Sequence, residues 1–137
     1  MSGRQPGVLD GVESGASELA QAIKLQERAA QVGFDWDSMP PVLAKVHEEI
    51  SELEAEIAGH AGSERLRDEL GDVLFAVANL ARKLEVDPVL ALRGTNVKFR
   101  RRFGAVERRL AEQGKRPQDV GLAEMDAIWE ESKREER

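Results

Sequence analysis

The chain has no cysteine and no tyrosine, and only two histidines and two tryptophans among its 137 residues. Without cysteine there can be no disulfide, thiolate metal site, iron–sulfur cluster or cysteine nucleophile. Two histidines leave little from which to build a His-rich zinc site. Aromatic residues make up 4% of the chain and β-branched residues are scarce, which argues against a β-sandwich or barrel, because strands favour those types. No stretch approaches the roughly 18–20 apolar residues needed to span a bilayer. Residues 1–7 lack the apolar core of a signal peptide, so the expectation is a cytoplasmic protein with no membrane partner.

What the chain has in quantity is charge. Asp, Glu, Lys and Arg make up 34% of it, 26 acidic against 20 basic, for a net charge of -6. With 41% apolar residues this is the composition of a folded domain rather than a disordered chain. The acidic total is the wrong sign for a surface that grips nucleic acid, so nucleic acid is not the expected partner. The two signs are also segregated. No Lys or Arg falls between Lys45 and Arg65, a stretch holding Glu48, Glu49, Glu52, Glu54, Glu56 and Glu64, whereas Lys98 to Arg109 holds six basic residues and a single Glu107.

The pattern predicts a tail over residues 1–16 and one domain over 17–137. A first helix runs from about Ser17 to Val32 and is stopped by Gly33. Phe34-Asp35-Trp36-Asp37 forms a loop, and Ser38 caps a second helix with Pro40 and Pro41 in its first turn. There Leu43, Val46, Ile50, Leu53 and Ile57 recur at steps of three and four, a heptad-like seam. Residues 59–62 turn the chain, Ser63 caps the third helix, and Leu66, Leu70, Val73, Val77, Leu80 and Leu84 repeat the seam. Two such helices joined by a short turn make an antiparallel hairpin. Asp87-Pro88 opens a fourth helix that carries the basic cluster to near Gly114, with Gly94 as a candidate kink or break, and a last helix starts at about Leu122. The expected fold is an all-α bundle of four to five helices around a central hairpin. Leu74, Phe75, Val86, Leu90 and Leu92 add more apolar surface than one hairpin covers, which a homodimer, or a tetramer, would bury.

The acids have a phase on these helices. Glu49 and Glu52 are three apart, as are Glu69 and Asp72, and each immediately precedes a seam residue. All four therefore lie on one flank of the apolar stripes and can converge at the edge of the hairpin. Oxygen ligands without His or Cys suit a hard divalent cation, Mg²⁺ or Mn²⁺, and through it a polyphosphate. The same spacing fits a solvated acidic face, with Arg65 paired to Glu69 across one turn, and the spacing alone does not choose between them.

The letters themselves are more specific. Glu48-Glu49-Ile50-Ser51-Glu52, sixteen further residues, then Glu69-Leu70-Gly71-Asp72 resembles the EExxE…ExxD signature of the MazG family of all-α nucleoside triphosphate pyrophosphohydrolases. Phe34-Asp35-Trp36, Lys45-Val46-His47-Glu48-Glu49, Gly71-Asp72-Val73-Leu74-Phe75, Asn79-Leu80-Ala81-Arg82, Asn96 to Phe103 and Trp129 to Lys133 are similar to that family's blocks, in its order. The resemblance covers about residues 18–134 and is closest to the C-terminal, catalytic half of the two-domain MazG protein. It implies Mg²⁺-dependent hydrolysis of an NTP or dNTP between the α- and β-phosphates, giving NMP and pyrophosphate, in an intertwined homodimer that cleans the nucleotide pool. By position it implies Glu49, Glu52, Glu69 and Asp72 as metal ligands, with Glu48 orienting the site or assisting the attacking water. Lys98 and Arg102, four apart on one helix face, would meet the phosphates. Trp129 and Lys133 would supply a stacking surface beside a phosphate contact, and Trp36 would flank the base. Arg65 stands where the family has a lysine, a cation of different geometry.

Without the resemblance, the Lys98–Arg109 stripe reads as solvated surface or a nucleic-acid patch, and Trp129 as core or interface. Phe99 and Phe103 read as core anchors, and His47 and His60 as packing or surface residues. The rival functions are a narrow-substrate helical pyrophosphohydrolase, dUTPase-like or cleaving phosphoribosyl-ATP, and a non-catalytic helical dimerisation module.

Overall fold

A computed structural model describes residues 7–12 and 17–136. Among them are five α-helices, one short 3-10 turn and no strand, so the all-α expectation holds. Two compact units divide the chain, residues 1–88 and 89–137.

The first unit contains α1 (Glu18–Gln31), α2 (Met39–Ala58) and α3 (Ser63–Leu84). Ser17 opens α1, its Oγ accepting the Ala20 N–H at 3.1 Å and so satisfying one of the donors a helix start leaves open. Gly33 ends the helix at φ 96, a conformation a Cβ would strain. Ser38 occupies the N-cap position of α2 with proline in the first turn, but its side chain makes no capping hydrogen bond. The cap of α3 is Gly62 rather than Ser63, which is already helical. Between these helices the turn depends on His60, which takes a left-handed backbone at φ 56, so its role there is conformational.

The hairpin is present, but its seams are split. Val46 and Leu53 on α2, and Leu66, Val73 and Leu80 on α3, are half-buried. Leu43, Ile50 and Ile57 are exposed, as are Leu70, Val77 and Leu84, two rows that each step by seven residues. Two helices can cover only one stripe of each other, so a seam wider than that stripe leaves half of its members outside. The tightest packing falls instead on small residues of α3, the buried Ala76, Ala78 and Ala81, and on Val42. Residues 7–12 form a turn whose Val8 and Asp10 carbonyls accept hydrogen bonds from Arg28 at 3.3 and 2.9 Å. The rest of the expected tail, residues 1–6 and 13–16, lies outside the described residues.

The second unit contains α4 (Pro88–Glu112) from Val89 on, the 3-10 turn (Pro117–Asp119) and α5 (Leu122–Glu135). α4 is unbroken at Gly94, because one glycine in a long helix costs only about 1 kcal/mol. Gly114, at φ 71, lies just beyond the helix end. The Asp119 carboxylate then closes the turn, accepting from the Arg116 backbone at 3.1 Å and its guanidinium at 2.9 Å. Val106, Leu110 and Ile128 form a buried core, with Phe103, Val120, Met125 and Trp129 packed against it. Phe103 is thus a core anchor, but Phe99 is not. It is 56% exposed, its ring 6.0 Å from that of Phe103 and 5.3 Å from Trp129. No helix among the described residues is long and apolar enough to cross a membrane.

Candidate metal-binding site

Glu49 of α2 meets Glu69 and Asp72 of α3, one carboxylate oxygen from each lying within 4.8 Å of the others. The turn at 59–62 sets this register, and the Arg65–Glu56 ion pair at 2.5 Å fastens the same two helices nearer the turn. Glu49 is 7% exposed while its seam neighbour Ile50 is 40% exposed, so here the carboxylate points inward and the hydrophobe outward. Glu49 Oε2 and Glu69 Oε2 are buried and accept no hydrogen bond. A buried anionic oxygen without a donor is strongly unfavourable. Two of them beside a third carboxylate form a donor set that fits a hard divalent cation such as Mg²⁺ or Mn²⁺.

The electrostatics agree with that crowding. Removal from water, followed by the charges of Asp72, Glu56, Asp68 and Glu49, pushes the Glu69 pKa up. Glu52 is pushed up chiefly by the charge of Glu49, with burial, Glu69 and Glu48 adding to it. Glu52 is therefore close, but it is exposed and stands outside the trio of converging oxygens. One helical turn of rise carries it along the axis from Glu49.

Lys45 is the partner that charge segregation hid. Its ammonium is 2.9 Å from Glu48 and 3.1 Å from Glu49, which raises its own pKa, first through Glu48. The i,i+3 and i,i+4 spacing within Lys45-Val46-His47-Glu48-Glu49 was a readable signal for these pairs. Arg65 pairs with Glu56 on the other helix, not with Glu69 on its own.

A cavity of about 720 Å³ adjoins the acids, which contribute Glu49 and Asp72 to its wall. Leu25, Gln26 and Ala29 of α1, Phe34 to Trp36 of the following loop, and Phe75, Ala76, Asn79 and Arg82 of α3 also line it. Asp35 latches that loop to α3. Its carboxylate accepts from Arg82 at 2.6 and 3.3 Å and from Lys83 at 3.4 Å, and the Trp36 carbonyl accepts from Lys83 at 2.8 Å. Phe34 and Trp36 are thereby held as exposed rings at the rim. No local signal could reveal a pair 47 residues apart.

The Arg82 guanidinium, helped by the Trp36 N–H and Lys83 and opposed by burial, lowers the Asp35 pKa to about 2. The folded value lies below the unfolded one, so the latch stabilises above pH ~4 and its contribution is lost as pH falls towards 2, for a total of about 1–2 kcal/mol. In urea titrations between pH 6 and 2, the stability difference between wild type and Asp35→Asn should be present at pH 6 and vanish near pH 2. A difference constant across that range would mean the pair does not carry it.

Lys98, Arg102, Trp129 and Lys133 belong to the second unit. The Arg102 guanidinium donates to Glu136 at 3.0 Å and Arg101 donates to the same carboxylate at 2.9 Å, which lowers the Glu136 pKa to about 2, Arg101 contributing most. Glu135 and Glu131 pair with Arg109. Much of the basic stripe is thus matched by acids at the end of α5, whereas Lys98 and Lys133 make no ion pair among the described residues. Trp129 packs on the core and against Phe99, combining the core reading with a part-exposed ring.

An all-helical hairpin that turns carboxylates from both helices into one oxygen-only cluster beside a cleft defines a class of helical acidic-site proteins. Residues 38–106 match the family model described as the MazG nucleotide pyrophosphohydrolase domain, and the chain belongs to that family. It is 41% identical over 133 residues, 96% of its length, to a nucleoside triphosphate pyrophosphohydrolase of Escherichia coli K12, and covers 51% of that protein. It is 37% identical over 115 residues, 84% of its length, to a Thermotoga maritima protein named nucleoside triphosphate pyrophosphohydrolase/pyrophosphatase MazG, covering 44% of it. An uncharacterized Bacillus subtilis protein, YabN, is 46% identical over 72 residues, 53% of this chain and 15% of that protein. The chain spans about half the length of the first two relatives.

Proposed function

We propose that the protein hydrolyses nucleoside triphosphates, NTP or dNTP, at the α–β anhydride to NMP and pyrophosphate. The observation that carries this reading is the pair of buried, unpartnered oxygens of Glu49 and Glu69 beside Asp72, within the family's own motif. Glu49, Glu69 and Asp72, with Glu52, would hold Mg²⁺, or Mn²⁺ in its place. A cation held there would neutralise charge on the triphosphate and make a nearby water more acidic. Lys45 keeps Glu49 turned inward before the cation arrives. The water oxygen bonds to the α-phosphorus, the bond to the bridging oxygen breaks, and pyrophosphate departs with that electron pair. A carboxylate of the Glu48–Glu52 segment accepts the water's proton. By family position Lys98, Arg102 and Lys133 of the second unit are the candidate phosphate contacts, and Arg65 of the first unit adds positive charge. Trp36, at the rim of the cavity beside the acids, flanks the nucleoside, and Trp129 is the stacking ring of the second unit. The role is sanitation of the cytoplasmic nucleotide pool.

The test is turnover of an NTP and dNTP panel with Mg²⁺ and with EDTA. Activity that EDTA abolishes supports the reading, and the ranking separates broad action from a dUTPase-like relative. No turnover across the panel would leave a narrow-substrate relative, such as one cleaving phosphoribosyl-ATP, or the dimerisation module.

The working form in this reading is a homodimer. The exposed rows Leu43–Ile50–Ile57 and Leu70–Val77–Leu84 support it, since burying each such side chain is worth about 1.5–3 kcal/mol. Val77→Glu should convert the protein to monomer in sedimentation analysis at micromolar concentration. A wild-type sedimentation profile for that variant would place the interface elsewhere.

A further inference from the structure

The cavity beside the acids carries two side-chain amides whose orientation is set by their neighbours. Gln26 on α1 donates its Nε2 to the Ala22 carbonyl at 3.1 Å and to the Phe75 carbonyl at 3.3 Å. Both partners are acceptors only, so the NH₂ must face them, and the remaining Oε1 is an acceptor. Asn79 on α3 accepts the Arg82 Nε–H at 3.0 Å through Oδ1. A guanidinium only donates, so the Asn79 oxygen must face it, and the remaining Nδ2 is a donor. Arg82 is itself pinned by Asp35. The cleft wall therefore holds one fixed acceptor and one fixed donor, neither with a further protein partner among the described residues, in surroundings formed by Leu25, Ala29, Phe75 and Ala76.

Their position along the helix matters as much as their polarity. Asp72, Ala76 and Asn79 lie at i, i+4 and i+7 on α3, one face of the helix, and all three line the cavity. Seven residues of helix rise about 10 Å. That is the order of the distance from the α-phosphate of a nucleotide to the reading edge of its base. A nucleotide with its phosphates at Asp72 and its sugar over Ala76 would bring its base to Asn79, in a cavity that Phe34 and Trp36 also line.

We propose that Gln26 and Asn79 are base-reading residues of this site. Gln26 Oε1 receives an amino or ring N–H group, and Asn79 Nδ2 gives a hydrogen bond to an oxo group or a bare ring nitrogen. The inference rests on the nucleotide-hydrolysing function proposed above and adds how the site tells one base from another. Half-buried polar groups fixed in orientation favour the base whose edge matches them, because the wrong base leaves a group unpaired.

Asn79→Asp tests it directly. The carboxylate still accepts from Arg82, so the latch is kept, but its second oxygen replaces a donor with an acceptor. The readout is kcat/KM for dUTP, dCTP, dITP and dATP, each divided by that for an abasic deoxyribose triphosphate, which lacks the reading edge. Asn79→Asp is expected to shift both the dUTP:dCTP and the dITP:dATP ratios towards the amino-bearing base by about tenfold or more. Asn79→Ala should lower all four nucleotides relative to the abasic compound. Unchanged ratios in both variants, with wild-type turnover intact, would overturn the base-reading role alone. A fall shared equally by the abasic compound would assign Asn79 to the fold or the phosphate end and overturn it too. Absence of wild-type turnover on every nucleotide would instead overturn the hydrolase reading, and this inference with it.

Discussion

Asp72→Asn is expected to lower turnover by about 10²–10³-fold, the scale of losing one preorganised electrostatic contribution, because a charge-neutralising cation would be held less tightly, while the helical circular dichroism stays that of wild type. The reason lies in the cluster. Asp72 faces Glu49 and Glu69, and two oxygens of that trio have no donor from the protein. Removing one charge relieves repulsion in the metal-free protein and weakens the hold on a cation. The variant should therefore be at least as heat-stable as wild type in EDTA, yet gain less stability on adding Mg²⁺. Glu52→Gln should also lower turnover but spare more of the Mg²⁺-induced stabilisation, because Glu52 stands outside the trio. Wild-type turnover and an undiminished Mg²⁺ shift in Asp72→Asn would remove the metal assignment.

Leu110→Ala is expected to be the most damaging single truncation in the second unit. Leu110 is 0% exposed and packs with Val106 and Ile128 in a core that contains few other large buried side chains. Deleting a buried leucine side chain costs about 2–5 kcal/mol, a large part of the total stability of a small domain. The urea midpoint should fall accordingly, with loss of the α5 signal in hydrogen exchange. Leu122→Ala, at a position 79% exposed, should change stability by no more than about 0.5 kcal/mol. Equal effects of the two substitutions would contradict the core as described.

Helix existence and type were legible because long periodic segments with proline and glycine at their ends leave few alternatives. α2 and α3 begin and end, and α5 begins, within a residue or two of where caps and seams place them. The inward turn of Glu49 was not legible, since heptad phase says which residues share a flank but not how wide a stripe the partner helix covers. The same limit hid the alternation of buried and exposed seam positions, and the closest packing on Ala76, Ala78 and Ala81 gave no periodic signal. Of the carboxylates, Glu49, Glu69 and Asp72 come together as their spacing indicates, and Glu52 falls one turn away. The Asp35–Arg82 latch and the Gln26–Phe75 contact join residues 47 and 49 positions apart, which only the folded chain creates, whereas Asn79 is oriented by Arg82 three residues on. Lys45 was within reach, because local spacing pairs it with Glu48 and Glu49.

The most direct measurement is phosphorus NMR of a nucleoside triphosphate incubated with the protein and Mg²⁺. The expected spectrum shows NMP and pyrophosphate growing together as the triphosphate resonances disappear, with no change in a parallel sample containing EDTA. Appearance of nucleoside diphosphate and orthophosphate would instead place cleavage at the β–γ bond and contradict the proposed reaction.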